Sequence, residues 1–224
     1  TTPAGATLTG GGPATVTSGV ATFGGLSVNK VGTYTFTPTT TVAGVTTLPA
    51  SNSFAVSAGA ASQLVWTQQP SAVVAGATMS PAVTVTVEDV NGNPVTTASG
   101  TVSLALTTPG GATLTGGGPA TVTSGVATFA GLSVDKVGTY TFTPTTTVAG
   151  VTTLPASNSF AVSAGAASQL VWTQQPSAVV AGSTMSPAVT VTVQDVNGNT
   201  VTTASGTVTL ALTTPAGATL TGGG

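Results

Sequence analysis

Acid–base or metal chemistry in this chain of 224 residues can rest on six side chains only. Glu88, Asp89, Asp135 and Asp195 carry carboxylates, Lys30 and Lys136 carry amines, and histidine, cysteine and arginine are absent. A glycosidase-type site needs two carboxyl groups facing one cleft. Glu88 and Asp89 are neighbours in a strand-like run and project to opposite faces, so they do not form such a pair. Further along the chain the same run returns with Gln194 in place of Glu88, which deletes one carboxylate outright. No catalytic residue is assigned, and the chain is not expected to be an enzyme. Without cysteine there is no disulfide framework, thiolate nucleophile or sulfur metal site. Two lysines against four acids cannot build the basic surface that phosphate binding needs, which excludes nucleic acid as a partner.

Asp89-x-Asn91-x-Asn93 has the oxygen spacing of a calcium loop. The glycine at Gly92 is misplaced for the helical calcium-loop pattern, and a hard cation would find few carboxylates here. Asn91-Gly92 also makes a sharp turn, since both residues accept positive φ cheaply. The turn is the stronger reading and calcium at Asp89, Asn91 and Asn93 the weaker; no cofactor is expected.

These residues lie in the block Ser80–Leu106. In Ala82–Glu88 the valines Val83, Val85 and Val87 alternate with Thr84, Thr86 and Glu88, and in Thr101–Leu106 the residues Val102, Leu104 and Leu106 alternate with Ser103 and Ala105. A period of two means half-buried strands, here joined through the Asp89–Pro94 turn.

The block returns as Ser186–Leu212 because the whole chain is repetitive. Thr1–Leu106 aligns without gaps on Thr107–Leu212, a period of 106 residues, and Thr213–Gly224 begins a third copy. Seven positions differ: Ala4/Gly110, Gly24/Ala130, Asn29/Asp135, Ala77/Ser183, Glu88/Gln194, Pro94/Thr200 and Ser103/Thr209. A repeat this long matches a self-contained bead rather than a solenoid turn. The small-residue stretches Ser57–Ser62 and Ser163–Ser168 carry no large side chain to bury and mark the boundaries. The expected organisation is therefore one complete domain at 61–166, the back part of a preceding domain at 1–60 and the front part of a following one at 167–224. That division is expected of a window on a longer array. The competing reading has separate chains completing one another end to end by strand donation.

Within the complete repeat, the expected strands are Gln63–Gln69, Ala82–Glu88, Thr101–Leu106, Ala112–Thr115, Val126–Phe129 with Leu132–Val134, Gly138–Thr143 and Ser157–Val162. The parity break at Ala130-Gly131 calls for a bulge if Phe129, Leu132 and Val134 are to share a face. About seven short alternating strands, turn signals between them and no amphipathic helical pattern predict an all-β fold of tandem antiparallel β-sandwiches. The expected core is Leu64, Trp66, Val83, Val85, Val87, Val102, Leu104, Leu106, Phe129, Tyr140, Phe142 and Phe160, and Trp172 is read as core in the same way. With 40% hydrophobic residues such a core can form without disulfides or metal.

Charged residues make up 3% of the chain, against about a quarter in an ordinary soluble domain. Dispersal must then rest on hydroxyls, attached sugar or tolerated self-association, which points outside the cell. The 50 threonines mostly occupy alternate positions of the strand-like runs. Rows such as Thr139-Tyr140-Thr141-Phe142-Thr143 could form a flat ice-binding face, but the wet side of a half-buried strand explains them more simply. The threonine density suits O-linked glycan, and no Asn-x-Ser/Thr sequon occurs. No apolar run approaches the length of a membrane span, so no membrane insertion is expected. Leu48-Pro49-Ala50-Ser51 echoes a cell-wall sorting signal, but it recurs internally as Leu154–Ser157 and reads as a loop.

Three motifs stand in a fixed order: Val85-Thr86-Val87-Glu88-Asp89-Val90-Asn91-Gly92-Asn93-Pro94-Val95, then Gly125-Val126-Ala127-Thr128-Phe129, then Val137-Gly138-Thr139-Tyr140-Thr141-Phe142. In this the repeat resembles the bacterial immunoglobulin-like domains that recur in tandem in large cell-surface proteins and adhesins. The resemblance covers the whole repeat and implies that each antiparallel β-sandwich, of about seven strands, is immunoglobulin-like. It implies a mechanical spacer or extender in the shaft of an extracellular filament or adhesin, at the bacterial cell surface. The partners are then the chain itself, as neighbouring repeats or laterally packed filaments. Some such domains bind a glycan or host protein, which is the rival reading; it lacks a surface aromatic cluster or charged patch here. Some also carry a self-formed amide between a buried lysine and an asparagine, but Lys136 stands in what reads as an exposed turn.

Overall fold

The computed structural model describes residues 4–107, 110–213 and 217–222. Strand donation would bring Thr1–Gly12 and Thr213–Gly224 into competition for one place, and parts of both segments lie outside the described residues. The fold is all-β, with no helix among the described residues. The N-terminal segment forms β1 (Leu8–Thr9), β2 (Val16–Thr17), β3 (Val20–Ala21), β4 (Ser27–Val28), β5 (Gly32–Tyr34) and β6 (Phe54–Val56). These pair antiparallel as β1–β4, β2–β3 and β5–β6.

The central unit follows with β7 (Gln63–Gln68), β8 (Val73–Val74), β9 (Val83–Glu88), β10 (Thr101–Leu106), β11 (Leu114–Thr115), β12 (Ala120–Thr121), β13 (Val126–Phe129), β14 (Ser133–Val134), β15 (Gly138–Tyr140), β16 (Phe142–Thr146) and β17 (Phe160–Ser163). One layer is the antiparallel sheet β7–β9–β13. The other combines β8–β17–β15 with β16–β10–β12, joined because β15 and β16 succeed one another along a single run. The first strand is divided between the layers. Pro70 cannot donate to a ladder, so the chain leaves β7 there and continues as β8, which runs parallel to β17. This is an immunoglobulin-like sandwich. The C-terminal segment forms β18 (Gln169–Gln174) and β19 (Thr190–Gln194), paired as β7 is with β9.

The core lies between the two layers of the central unit. Val83, Val85 and Val87 on β9, Val102 on β10 and Phe142 on β16 are fully buried, and Leu64, Leu104, Phe129, Tyr140 and Phe160 are nearly so. The ring of Phe160 lies 4.8 Å from that of Phe142 and 6.0 Å from that of Tyr140. Threonines bond one another on the far side of the β7–β9–β13 sheet: the Thr67 hydroxyl lies 2.9 Å from that of Thr84 and 3.1 Å from that of Thr86, which is itself buried.

Several expectations are corrected. Trp66 and Leu106 are half-buried against the core rather than inside it. The β7–β9 register shifts between Trp66 and Gln68, which lets the indole N–H reach the Pro155 carbonyl at 2.9 Å near the surface. Leu106 is the last residue of its strand. The link at Ala130-Gly131 is a turn with Gly131 at φ 87°, not a bulge, and the chain beyond it changes partner to β11. The last strand starts at Phe160 because Ser157 is engaged beforehand, its hydroxyl accepting the Phe142 N–H at 2.8 Å. The two-residue strands β8 and β12 are additional to the expected set. Trp172, read as core, is 42% exposed, on a two-stranded sheet of β18 and β19 where Trp66 has the three strands β7, β9 and β13.

Candidate functional site: the joints between successive sandwiches

The Asp89–Pro94 loop closes β9, with Glu88 and Pro94 bridged antiparallel. Gly92 sits at φ 71° and donates its N–H to the Asp89 carbonyl at 3.1 Å, so the turn is centred on Val90 and Asn91 rather than on Asn91-Gly92, and only Gly92 takes positive φ. The Asp89 side chain folds back into the loop and is buried. One carboxylate oxygen accepts the Asn91 and Asn93 backbone N–H groups, both at 2.9 Å, and the other accepts the Asn93 side-chain amide at 2.9 Å and the Gly59 N–H at 2.9 Å. Gly59 belongs to the small-residue stretch between sandwiches, so the carboxylate staples that connection to the body of the central unit. Ala58 and Ala61 pack on the core, and Ser62 donates its N–H to the Glu88 carbonyl at 2.9 Å. The boundary stretch is thus built into the sandwich.

Asn93 extends this cluster across the joint. Its amide donates to the Asn29 carbonyl at 2.9 Å, and its side-chain oxygen accepts the Val31 N–H at 3.1 Å. Between these two residues, Lys30 sends its ammonium to the Asn91 carbonyl at 2.6 Å. The presenting loop is fixed from its own side: the Tyr34 hydroxyl donates to the Lys30 carbonyl at 2.7 Å, and Asn29 Oδ1 accepts the Thr7 N–H at 2.7 Å.

The same set is built again one repeat later. Asn199 donates to the Asp135 carbonyl at 2.8 Å and accepts the Val137 N–H at 3.0 Å. Lys136 reaches the Asn197 carbonyl, and the Tyr140 hydroxyl holds the Lys136 carbonyl at 3.0 Å. Asp195, buried like Asp89, accepts from Gly165, Asn197, Asn199 and the Asn199 amide at 2.8–2.9 Å. This joint adds a bond from the Asn197 amide to the Ala75 carbonyl at 3.1 Å.

The residues singled out for chemistry come together here in another role. Both Asp89 oxygens point at N–H donors rather than at a shared centre with Asn91 and Asn93, so a cation would first have to displace those donors. Glu88 and Asp89 diverge, the former half-exposed and the latter buried. Lys136 is engaged by the following sandwich rather than by an asparagine side chain of its own. Among the described residues, no buried side-chain nitrogen or oxygen lacks a partner, and no group of three or more His, Cys, Asp or Glu side chains could hold a metal. Sequence reasoning missed Asn93 and Lys30 as bridging residues. The only signal was that the lysines and the Asp-x-Asn-x-Asn loop recur together at every repeat.

Burial would push the Asp89 carboxyl up, but the Asn93 side chain and the Asn93, Gly59 and Asn91 backbone N–H groups outweigh it and hold it at about 2. Asp195 is likewise held at about 2 by Asn199, Gly165 and Asn197. A carboxyl lower in the folded than in the unfolded chain stabilises the fold above its ordinary value and loses that contribution as the pH falls through its folded value. The melting temperature should therefore stay flat from neutral pH down to about pH 4 and fall steeply between about pH 4 and pH 2. Circular dichroism melts across that range check it; a decline already complete at about pH 5 would assign the loss to other groups.

The described residues define a class, an all-β chain in which an immunoglobulin-like sandwich is joined to the repeat segments on either side by one recurring set of hydrogen bonds. No family model matches the chain. No curated protein matches it either. Among solved structures, it is similar to that of FdeC, described as a broadly conserved Escherichia coli adhesin, at 23% identity and a TM-score of 0.38. The match covers 75% of this chain and 52% of the other, so the chain spans about half the length of the structure it matches. A likeness so slight carries nothing about function. Among the described residues, no helix is long and apolar enough to cross a membrane.

Proposed function

We propose that this chain is a structural repeat of the shaft of an extracellular bacterial filament or surface adhesin, acting as a mechanical spacer. The observation that carries the reading is the recurrence of one set of joint bonds at both junctions. Each side of a joint is organised before the two meet: Asp89 holds the Asn93 amide, and Tyr34 holds the loop that Asn93 engages. Such a joint resists bending because Asn93 and Lys30 must release their partners together. Rigid joints turn copy number into reach, at roughly 30–40 Å for each sandwich built of strands this long.

The experiment is Asn93→Ala in the full chain. Paired nitroxide labels on Thr22→Cys and Thr128→Cys, equivalent exposed positions on either side of the first joint, are unambiguous because the chain has no cysteine. A single narrow distance is expected for the parent, and a distribution at least about twofold broader for the variant, which loses two hydrogen bonds across the joint. A variant as narrow as the parent would remove Asn93 from the joint and the spacer reading with it.

A further inference from the structure

All six charged side chains of the chain gather at its two joints. Lys30, Glu88 and Asp89 surround the first, and Asp135, Lys136 and Asp195 the second. Asp89 and Asp195 are consumed by N–H donors inside their own loops, which leaves each joint one lysine and one further acid. The acid stands on opposite sides in the two cases. In the first joint it is Glu88, on the following sandwich: the Glu88 carboxylate and the Lys30 ammonium lie 3.7 Å and 3.5 Å from the point where a Cβ on Gly92 would stand. The two charges are thus closer than the roughly 8 Å over which physiological salt screens them. In the second joint the position of Glu88 is taken by Gln194, whose Oε1 lies 3.9 Å from the corresponding point on Gly198, with the Lys136 ammonium at 3.7 Å. Here the acid is Asp135, on the preceding sandwich and next to Lys136, where the first joint has Asn29.

Among the seven differences between the copies, these two alone change charge. They fall on the two sides of one joint and cancel, so each joint keeps the same net charge. We propose that the joints are charge-matched: the lysine takes one acid, from either sandwich, and the loop at Asn29 or Asp135 and the position of Glu88 or Gln194 form a specificity pair that selects which repeat follows which. Two acids around one partly buried lysine leave a carboxylate repelled across the joint, and none leaves the ammonium with carbonyl partners alone. The central sandwich carries Glu88 at one end and Asp135 at the other. A copy of itself placed next in line makes the two-acid mismatch, and the partner it fits is a repeat with glutamine at the position of Gln194.

The inference rests on the spacer reading, and its test is separable from that one. The full chain, labelled at Thr22→Cys and Thr128→Cys, is compared as parent, Asn29→Asp, Glu88→Gln and the double variant. Each substituted residue already occupies the corresponding position of the other joint, and both local roles survive there. Asp135 accepts the Thr113 N–H at 2.6 Å as Asn29 accepts that of Thr7, and Gln194 keeps the contact of Glu88 with its neighbouring glutamine. The single variants are expected to raise the open fraction of the joint about two- to fivefold, the range of an exposed ion pair, and the double variant to return it to the parent value. Single variants without effect, or a double variant whose effect is the sum of the two, overturn charge matching. Asn93→Ala, run alongside, reports on the rigid joint itself, so broadening there together with silent charge variants sinks this inference and leaves the spacer reading standing.

Discussion

Asp89→Ala is expected to destabilise the central sandwich by about 2–4 kcal/mol, because four N–H donors lose their acceptor at once, the two of Asn93 buried and those of Gly59 and Asn91 part-buried. The carboxylate accepts from the Gly59, Asn91 and Asn93 backbones and from the Asn93 side chain. Of these donors only the Asn93 amide has a second partner, the Asn29 carbonyl. The loss is a large share of the roughly 5–15 kcal/mol that holds an ordinary domain together. Asp89→Asn should cost nearly as much, since its own NH₂ would face donors where an acceptor is needed. Urea unfolding followed by Trp66 emission, in a Trp172→Phe background, reads the central sandwich alone. Asp195→Ala, the matching change one repeat later, should leave that transition within about 0.5 kcal/mol of the parent. A cost below about 1 kcal/mol for Asp89→Ala would mean that water replaces the carboxylate freely and that the loop is no keystone.

The strands were legible because burial leaves a trace in residue type. Val83, Val85 and Val87 alternate with polar residues and all three lie fully buried, as do Val102 and Phe142. What sequence could not carry are features made by the main chain. The parallel pairing of Val73–Val74 with Val162–Ser163 is a backbone ladder two residues long. The shift at Thr67 is a ladder irregularity that turns Trp66 toward a carbonyl near the surface. The joint is hidden for the same reason: Asn93 and Lys30 bind carbonyl and N–H groups of the neighbouring sandwich, which every residue possesses, so no complementary side-chain pattern announces the contact. The exchange Glu88/Gln194 reads in sequence as the loss of a carboxylate, and the fold places it beside Lys30 and Lys136.

The distribution of charge then has a mechanical sense. Threonine hydroxyls on the sheet surfaces bond one another, as Thr67 does with Thr84 and Thr101 with Thr147. Neutral surfaces are indifferent to salt and pH, whereas all six charged side chains stand at the two joints. Since Asp89 and Asp195 stay ionised down to about 2, the joints keep their frame through any mildly acidic medium.

Phe142→Ala, set against Phe36→Ala one repeat earlier, is expected to separate local from tertiary stabilisation within a single chain. The two phenylalanines share their sequence surroundings and their aromatic neighbour: the Phe36 and Phe54 rings lie 4.7 Å apart and the Phe142 and Phe160 rings 4.8 Å apart. What differs is the opposing layer. Phe142 is fully buried in the core between two layers, whereas Phe36 is half-buried among the short described strands β1–β6. The counterpart pair Phe129 and Phe23 shows the same contrast, at 2% and 49% exposed. Phe142→Ala should therefore cost about 4 kcal/mol, the transfer of the ring plus the cavity left in a packed core. Phe36→Ala should cost no more than about 1.5 kcal/mol, because its ring gives up less contact and leaves no enclosed void. Hydrogen exchange resolved by segment reads both at once, through amides of β15–β17 for the first and of β5–β6 for the second. Equal losses of protection would mean that the aromatic pair itself, rather than the second layer packed across it, holds this part of each repeat.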